Sequence, residues 1–296
     1  MDVNLVFEGG GVLGVYYVGA YKALREFGYR ASKCAGTSAG SIISSVIIAG
    51  YTPRELEDIV YETDFNAINK KTKLSKIPLI GKPLSLIYNK GMYDIEAIEQ
   101  WIENLLRSKG ITKFKDVMSN GESRLKITAA DITRSKLIIL PDDLYEYGID
   151  PQEFSVAKAA AMSSSIPYYF TPIRLKHAGK TGYIVDGGLL SGFPVWVFDN
   201  EETPTIGIMI KNLDSNTSQG KTDIISYTKD VINAPINEDE TNFVCGKDLV
   251  RTIVIDYTGM IDATSFDKIN ERKKEMIRVG YDSTVKFLDG YHTNKR

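Results

Sequence analysis

A chain of 296 residues is long enough to bury one sizeable α/β core or two small ones, and its 43% hydrophobic and 25% charged shares are those of an ordinary globular protein. A formal net charge of −2 leaves no global field to gather nucleic acid, and Cys34 and Cys245, far apart and in no metal-ligand pattern, point to a reducing compartment. No basic segment or apolar signal core precedes Val3, and no apolar run approaches the roughly 18 residues of a membrane span. The expectation is a soluble protein that begins inside the cell; an effector exported without a cleaved signal would read the same.

Val3-Asn4-Leu5-Val6-Phe7 predicts a buried strand, followed at once by Gly9-Gly10-Gly11-Val12-Leu13-Gly14. Tyr17, Ala20, Tyr21, Leu24 and Phe27 recur at helical spacing, so the glycine loop lies between a strand and an amphipathic helix. The spacing satisfies G-x-G-x-x-G, but a dinucleotide fingerprint also needs an acidic residue about 20 positions on to hold the ribose. The second strand, Arg30 to Ala35, offers none, because no Asp or Glu stands between Glu26 and Glu55. Two uses remain for the loop: a purely structural turn, or an oxyanion hole in which the amides of Gly10 and Gly11 face an ester carbonyl.

That second strand runs into Gly36-Thr37-Ser38-Ala39-Gly40 and then a buried helical run, Ser41 to Gly50. This is the G-x-S-x-G elbow, in which small flanking residues let the backbone bend sharply and present a serine hydroxyl at a strand's carboxyl end. Gly36 and Gly40 let strand and helix approach, and the helix aims its positive N-terminal end at Ser38. Alone, the five residues read equally as a small-residue turn capping a core helix.

Thr52-Pro53-Arg54-Glu55 is a capping box with proline at the first helical position. Residues 64–92 hold Lys70, Lys71, Lys73, Lys76, Lys82 and Lys90 against the single acid Asp64, a local charge of +5 by subtraction, interleaved with apolar residues and proline. Such a segment suits a lid, an anionic lipid surface, or a solvated connector with a few core anchors. Asp94 begins a helix with Ile95, Ile98, Trp101, Ile102, Leu105 and Leu106 on one face. Leu125–Ala130 and Lys136–Leu140 predict a hairpin, with Asp131 as its turn aspartate rather than a second site carboxylate. Ser155 caps an alanine-rich helix that ends in Ser163-Ser164-Ser165, either a polar wall or a helix end.

Gly182 to Val185 is an apolar strand that delivers Asp186 to Gly187-Gly188. Alone, Asp-Gly-Gly is a turn; beside a serine elbow, Asp186 is a candidate general base, since desolvation raises a carboxylate from its usual 3.9 or so toward the range in which it accepts a proton. A Ser-His-Asp triad would have to recruit His177, in a turn, or His292, in a polar terminus. Thr205–Ile210 and Thr252–Ile255 predict further strands, Ser265 to Leu288 a closing helix, and 211–222 and 233–248 polar connectors.

Taken together, residues 4–14 and 34–48 resemble the start of a patatin-like phospholipase, whose glycine-rich oxyanion loop and elbow fall within the first forty or so residues. The resemblance implies one domain over residues 1–296, an α/β fold of three α/β/α layers with a mainly parallel central sheet. It also implies a Ser-Asp dyad of Ser38 and Asp186, an oxyanion loop of Gly9, Gly10, Gly11 and Gly14, and a phospholipid or other acyl-lipid substrate. No metal or organic cofactor is needed, and peripheral membrane contact fits the substrate. Leu13 stands where many members carry arginine or lysine, and Ser191-Gly192 replaces the Asn-Asn often found after the aspartate. The alternative to an enzyme is a catalytically idle lipid- or protein-binding module that keeps the fold.

Overall fold

Strand β1 (Asp2–Phe7) buries five of its six residues, the continuous burial expected of a strand in the middle of a sheet with both faces covered. The structure, a computed structural model, describes residues 1–177, 179–212, 251–257, 261 and 263–293. After β1 come α1 (Tyr16–Glu26), β2 (Arg30–Thr37), α2 (Ala39–Ile48), α3 (Pro53–Glu62), α4 (Phe65–Ile68), α5 (Gly81–Asn89), β3 (Gly91–Tyr93) and α6 (Glu96–Ser108). The middle of the chain carries β4 (Met118–Ser119), β5 (Glu122–Ser123), β6 (Leu125–Asp131), β7 (Lys136–Leu140) and α7 (Val156–Ser163). It closes with β8 (Tyr168–Phe170), β9 (Ile173–His177), β10 (Lys180–Asp186), β11 (Thr205–Asn212), β12 (Thr252–Tyr257) and α8 (Lys273–Thr293).

The main sheet has the order β12-β11-β1-β2-β6-β10-β9, with β7 added to β6. From β12 to β6 every pairing is parallel; β10 then runs antiparallel to β6 and β9, and β7 antiparallel to β6. The mainly parallel α/β sheet expected from the sequence is therefore present, with an antiparallel end. Helices α1, α2, α3, α6, α7 and α8 share one core with Val3, Leu5 and Phe7 of β1, while Val6, Ala35 and Met209 on the other face are covered by Phe193, Val195 and Phe198.

Strand β6 determines where the site lies. Its residues Ile127–Asp131 pair with β7, Leu125–Thr128 with β2, and Ala129–Asp131 with β10. A strand has only two edges, so β7 takes one, and β2 and β10 must share the other, meeting tip to tip. Thr37 ends opposite Thr128 and Asp186 opposite the next residue, Ala129. One residue along a strand is about 3.3 Å, so the carboxyl ends of β2 and β10 are brought side by side although about 150 residues separate them in the chain.

Two readings are corrected. The closing helix begins at Lys273, not Ser265, after a 3₁₀ turn at Ile269–Glu271, because Phe266 leaves the helical periodicity to pack beside Tyr169 and Phe170. Lys211 and Asn212 belong to β11 rather than to a connector; the rest of that connector, residues 233–248 and Cys245 lie outside the described residues.

Candidate active site

Ser38 stands between the last residue of β2 and the first of α2 with φ 52° and ψ −122°, a combination rare for any residue with a side chain. The bend is possible because a Cβ on Gly36 would lie 2.2 Å from the backbone of Gly40, and one on Gly40 would lie 2.2 Å from the carbonyl oxygen of Phe7. Strand, elbow and helix are thus in backbone contact. The Ser38 amide donates to Ser163 Oγ at 2.8 Å, and Ser163 Oγ donates to the Thr128 carbonyl at 2.6 Å. The end of α7 is therefore both a helix end and a polar wall.

Asp186 ends β10 nearly fully buried. Its amide donates to the Ser165 carbonyl at 3.0 Å, and its Oδ1 accepts from the Gly188 amide at 2.8 Å. Burial pushes the carboxyl up from 3.8 to about 6, while hydrogen bonds from the Ser38 side chain and the Gly188 amide pull it the other way. The Ser38 side chain thus bears on a carboxylate that is shielded from water and shares its crevice.

The glycine loop forms the third side. Gly11 has φ +53°, and a Cβ there would lie 2.1 Å from the Ala263 carbonyl oxygen, which accepts instead from the Val12 amide at 2.9 Å. Among the described residues, the N–H groups of Gly10 and Gly11 have no protein acceptor. Gly9 is different from the expectation: its amide donates to the Gly192 carbonyl at 2.9 Å, so it ties the loop down and has no N–H left for an oxyanion. Gly14 is likewise a packing position, since a Cβ there would meet Ala39 Cβ at 2.8 Å. The Ser191 carbonyl accepts from Thr37 Oγ1 at 3.1 Å. Ser191 and Gly192, where asparagines were the comparison, thus support the loops through their backbones.

Ser38, Asp186, Gly9, Gly10, Gly11 and Gly188 line one crevice, together with Glu8, Ile166, Gly192 and Ala263. Glu8 was not singled out in the sequence. It is a buried carboxylate whose Oε2 accepts from the Ile210 amide at 2.8 Å, and the only signal for it was an acid placed where an apolar strand meets the glycine loop. Ser38 also opens on a second cavity of about 120 Å³ whose walls are almost wholly aliphatic and aromatic, from Val15 and Ile43 to Trp101 and Phe266. Among the described residues its other hydroxyl is Ser164 Oγ, which is buried and has no hydrogen-bond partner among them.

Asp131 and His177 lie apart from this site. Asp131 is a turn aspartate, accepting from the Thr133 and Arg134 amides at 2.9 and 3.1 Å and from the Tyr147 hydroxyl at 2.6 Å. His177 pairs with Lys180 at the opposite end of β10, about 20 Å of extended strand from Asp186, and His292 falls in the last turn of α8. Among the described residues no group of three or more His, Cys, Asp or Glu side chains is arranged to hold a metal ion.

Comparison with known proteins gives the chain a family and a fold. The chain is 43% identical over 212 residues to the uncharacterized protein YqhO of Bacillus subtilis, covering 71% of this chain and 72% of that one. It is 29% identical over 196 residues to the probable lipid hydrolase 463L of invertebrate iridescent virus 6, covering 65% of this chain and 61% of the relative. Among solved structures, VipD from Legionella pneumophila shares the fold with a TM-score of 0.57 at 16% identity, over 97% of this chain and 67% of that one. Residues 5–199, which carry the glycine loop, the elbow and Asp186, match the family described as patatin-like phospholipase, and the chain belongs to that family.

Proposed function

We propose that the protein is a lipid acyl hydrolase of phospholipase A or lysophospholipase type, working through Ser38 and Asp186. The observation that carries this reading is that one strained serine faces two compartments: a polar crevice with a buried carboxylate and two unpaired amides, and an apolar cavity suited to a fatty acyl chain. An ester of an acyl chain with a polar alcohol divides in the same way.

In the first half-reaction Asp186 accepts the proton of Ser38 Oγ as Oγ bonds to the ester carbonyl carbon, and the charge that develops on the carbonyl oxygen meets the amides of Gly10 and Gly11. The intermediate collapses by breaking the bond to the alcohol oxygen, which leaves with the proton held on Asp186. Water then gives a proton to Asp186 and attacks the acyl carbon; Ser38 Oγ departs, takes that proton back, and the free fatty acid is released. A carboxyl raised to about 6 is a stronger base than one at the ordinary value and is still ionised at neutral pH.

A fluorophosphonate probe tests the nucleophile: labelling of wild type but not of Ser38→Ala is expected, with fatty-acid release from a panel of phospholipids and lysophospholipids lost in the same variant. Release of fatty acid by Ser38→Ala at the wild-type rate would overturn the assignment. Absence of both labelling and release from wild type would favour a binding module that keeps the fold.

A further inference from the structure

Between Lys70 and Met92 the usual distribution of side chains is inverted. Thr72, Ser75 and Ser85 are buried, whereas Ile77, Leu79, Ile80, Ile87 and Tyr88 are exposed, Leu79 completely so at 101%. The interior is a knot of hydroxyls: Ser75 Oγ donates to the Met92 carbonyl at 2.6 Å, Ser85 Oγ to the Gly91 carbonyl at 2.6 Å, and Thr72 Oγ1 lies 2.9 and 2.7 Å from the two serines. Polar bonds therefore hold α5 and the 3₁₀ turn Leu74–Lys76 against β3; Leu86 packs against the core, and Ile77, Leu79, Ile80, Ile87 and Tyr88 are turned to the outside. Leu79 stands at the tip with φ 64°, a backbone conformation unusual for leucine. Folded structure that spends hydrogen bonds inside and leaves isoleucine and leucine outside is built to meet something other than water.

The charge around this face says what it meets. Lys70, Lys71, Lys73, Lys76, Lys82 and Lys90 are all exposed, and no Asp or Glu lies between them in the sequence. None is ion-paired among the described residues. A short amphipathic element with apolar tips and a cationic rim matches the headgroup boundary of an anionic bilayer. The stretch that leads into this segment, not the segment itself, borders the apolar cavity. Phe65 and Ile68 just before it line that cavity, and Asn69 Nδ2 donates at 2.8 Å to the hydroxyl of Tyr169, whose ring stacks on Phe266 of the cavity wall.

We propose that residues 70–90 seat the protein on an anionic lipid bilayer, with Ile77, Leu79, Ile80, Ile87 and Tyr88 entering the headgroup boundary and the lysines meeting lipid phosphates and carboxylates. The choice of a bilayer over another apolar partner rests on the lipid-hydrolase reading. Sedimentation of the full chain with vesicles of phosphatidylcholine, alone and mixed with phosphatidylserine, tests it. Wild type should bind the mixed vesicles and release from them at high salt. Leu79→Asp with Ile87→Asp, and separately Lys73→Glu with Lys76→Glu and Lys82→Glu, should each weaken binding at least about tenfold while leaving hydrolysis of a soluble short-chain ester unchanged. Equal binding by wild type and both variants, or no binding by wild type, overturns the proposal. Conversion of a wild-type dimer to a monomer by Leu79→Asp, without vesicle binding, would show that a second copy covers the face. Vesicle binding that persists in a protein with no esterase activity would overturn the hydrolase reading and leave the seating surface standing.

Discussion

The amide of Ser38 donates at 2.8 Å to the hydroxyl of Ser163, which donates in turn at 2.6 Å to the carbonyl of Thr128. The strained elbow is thereby latched to β6, the strand against which the ends of β2 and β10 are both aligned. Ser163→Ala would leave a buried amide and a buried carbonyl without their partner, a loss of about 1–3 kcal/mol, with activity falling as the elbow loosens. The neighbouring change, Ser164→Ala, removes a hydroxyl that has no partner among the described residues. It should leave stability unchanged or raise it. Denaturant titrations of the two variants decide this, and the opposite ranking would mean that Ser163 does not hold the elbow.

Asp186 gives the pH dependence a sign. Its carboxyl lies at about 6 when folded against 3.8 when unfolded, so the folded protein binds the proton more tightly. Stability from this group is present below the lower value and is lost as pH rises through about 6, amounting to about 3 kcal/mol of destabilisation at neutral pH. Asp186→Asn should abolish turnover and raise Tm at pH 8, the gain shrinking toward pH 4. In wild type, kcat/KM for an uncharged ester should fall with an acid limb near pH 6. A flat profile between pH 5 and 7 would remove Asp186 as the base.

Gly40→Ala should prevent the elbow from closing, because its Cβ would lie 2.2 Å from the Phe7 carbonyl oxygen and 2.6 Å from that of Glu8. Neither backbone atom can move without shifting β1, so a loss on the order of 3 kcal/mol or more is expected. Gly290→Ala, on an exposed turn of α8 with nothing within 4 Å of the new Cβ, should be stabilising by up to about 1 kcal/mol. Thermal unfolding of the pair measures both.

His177→Ala with His292→Ala should retain hydrolytic activity within about twofold of wild type, since the crevice has a carboxylate beside Ser38 and no histidine among its described lining residues. Steady-state assays of the double variant, with its fold verified by circular dichroism, make the comparison. A loss comparable to that of Ser38→Ala would restore the triad.

The parts of the site legible in the sequence are those where a short motif has one mechanical solution. Gly-Thr-Ser-Ala-Gly between a strand end and an apolar helix can bend in few ways, and Asp186 at the end of Tyr183-Ile184-Val185 has its place set by the strand. Long-range pairing was not legible. Nothing local says that β10 runs antiparallel along the edge of β6 that β2 also uses, that Ser163 latches the elbow, or that Gly9 is tied to Gly192. The hydroxyl knot of Thr72, Ser75 and Ser85 was hidden for a related reason: small polar residues in a lysine-rich stretch read as solvated until the backbone folds them together.

Because β2 and β10 both measure their position from one strand, β6 works as a ruler for the whole site. Outside β6 and the Ser163 end of α7, the polypeptide that joins the two strand ends can lengthen, shorten or change its sequence without altering their separation, provided the two pairings keep their register. A one-residue slip in either pairing with β6 would move Ser38 or Asp186 by about 3.3 Å and turn the neighbouring side chains to the opposite face. Divergence between relatives should therefore be tolerated in the spans from α3 to β5 and from β7 to α7, and be narrowest over the seven residues Leu125–Asp131 and at Ser163–Ser165.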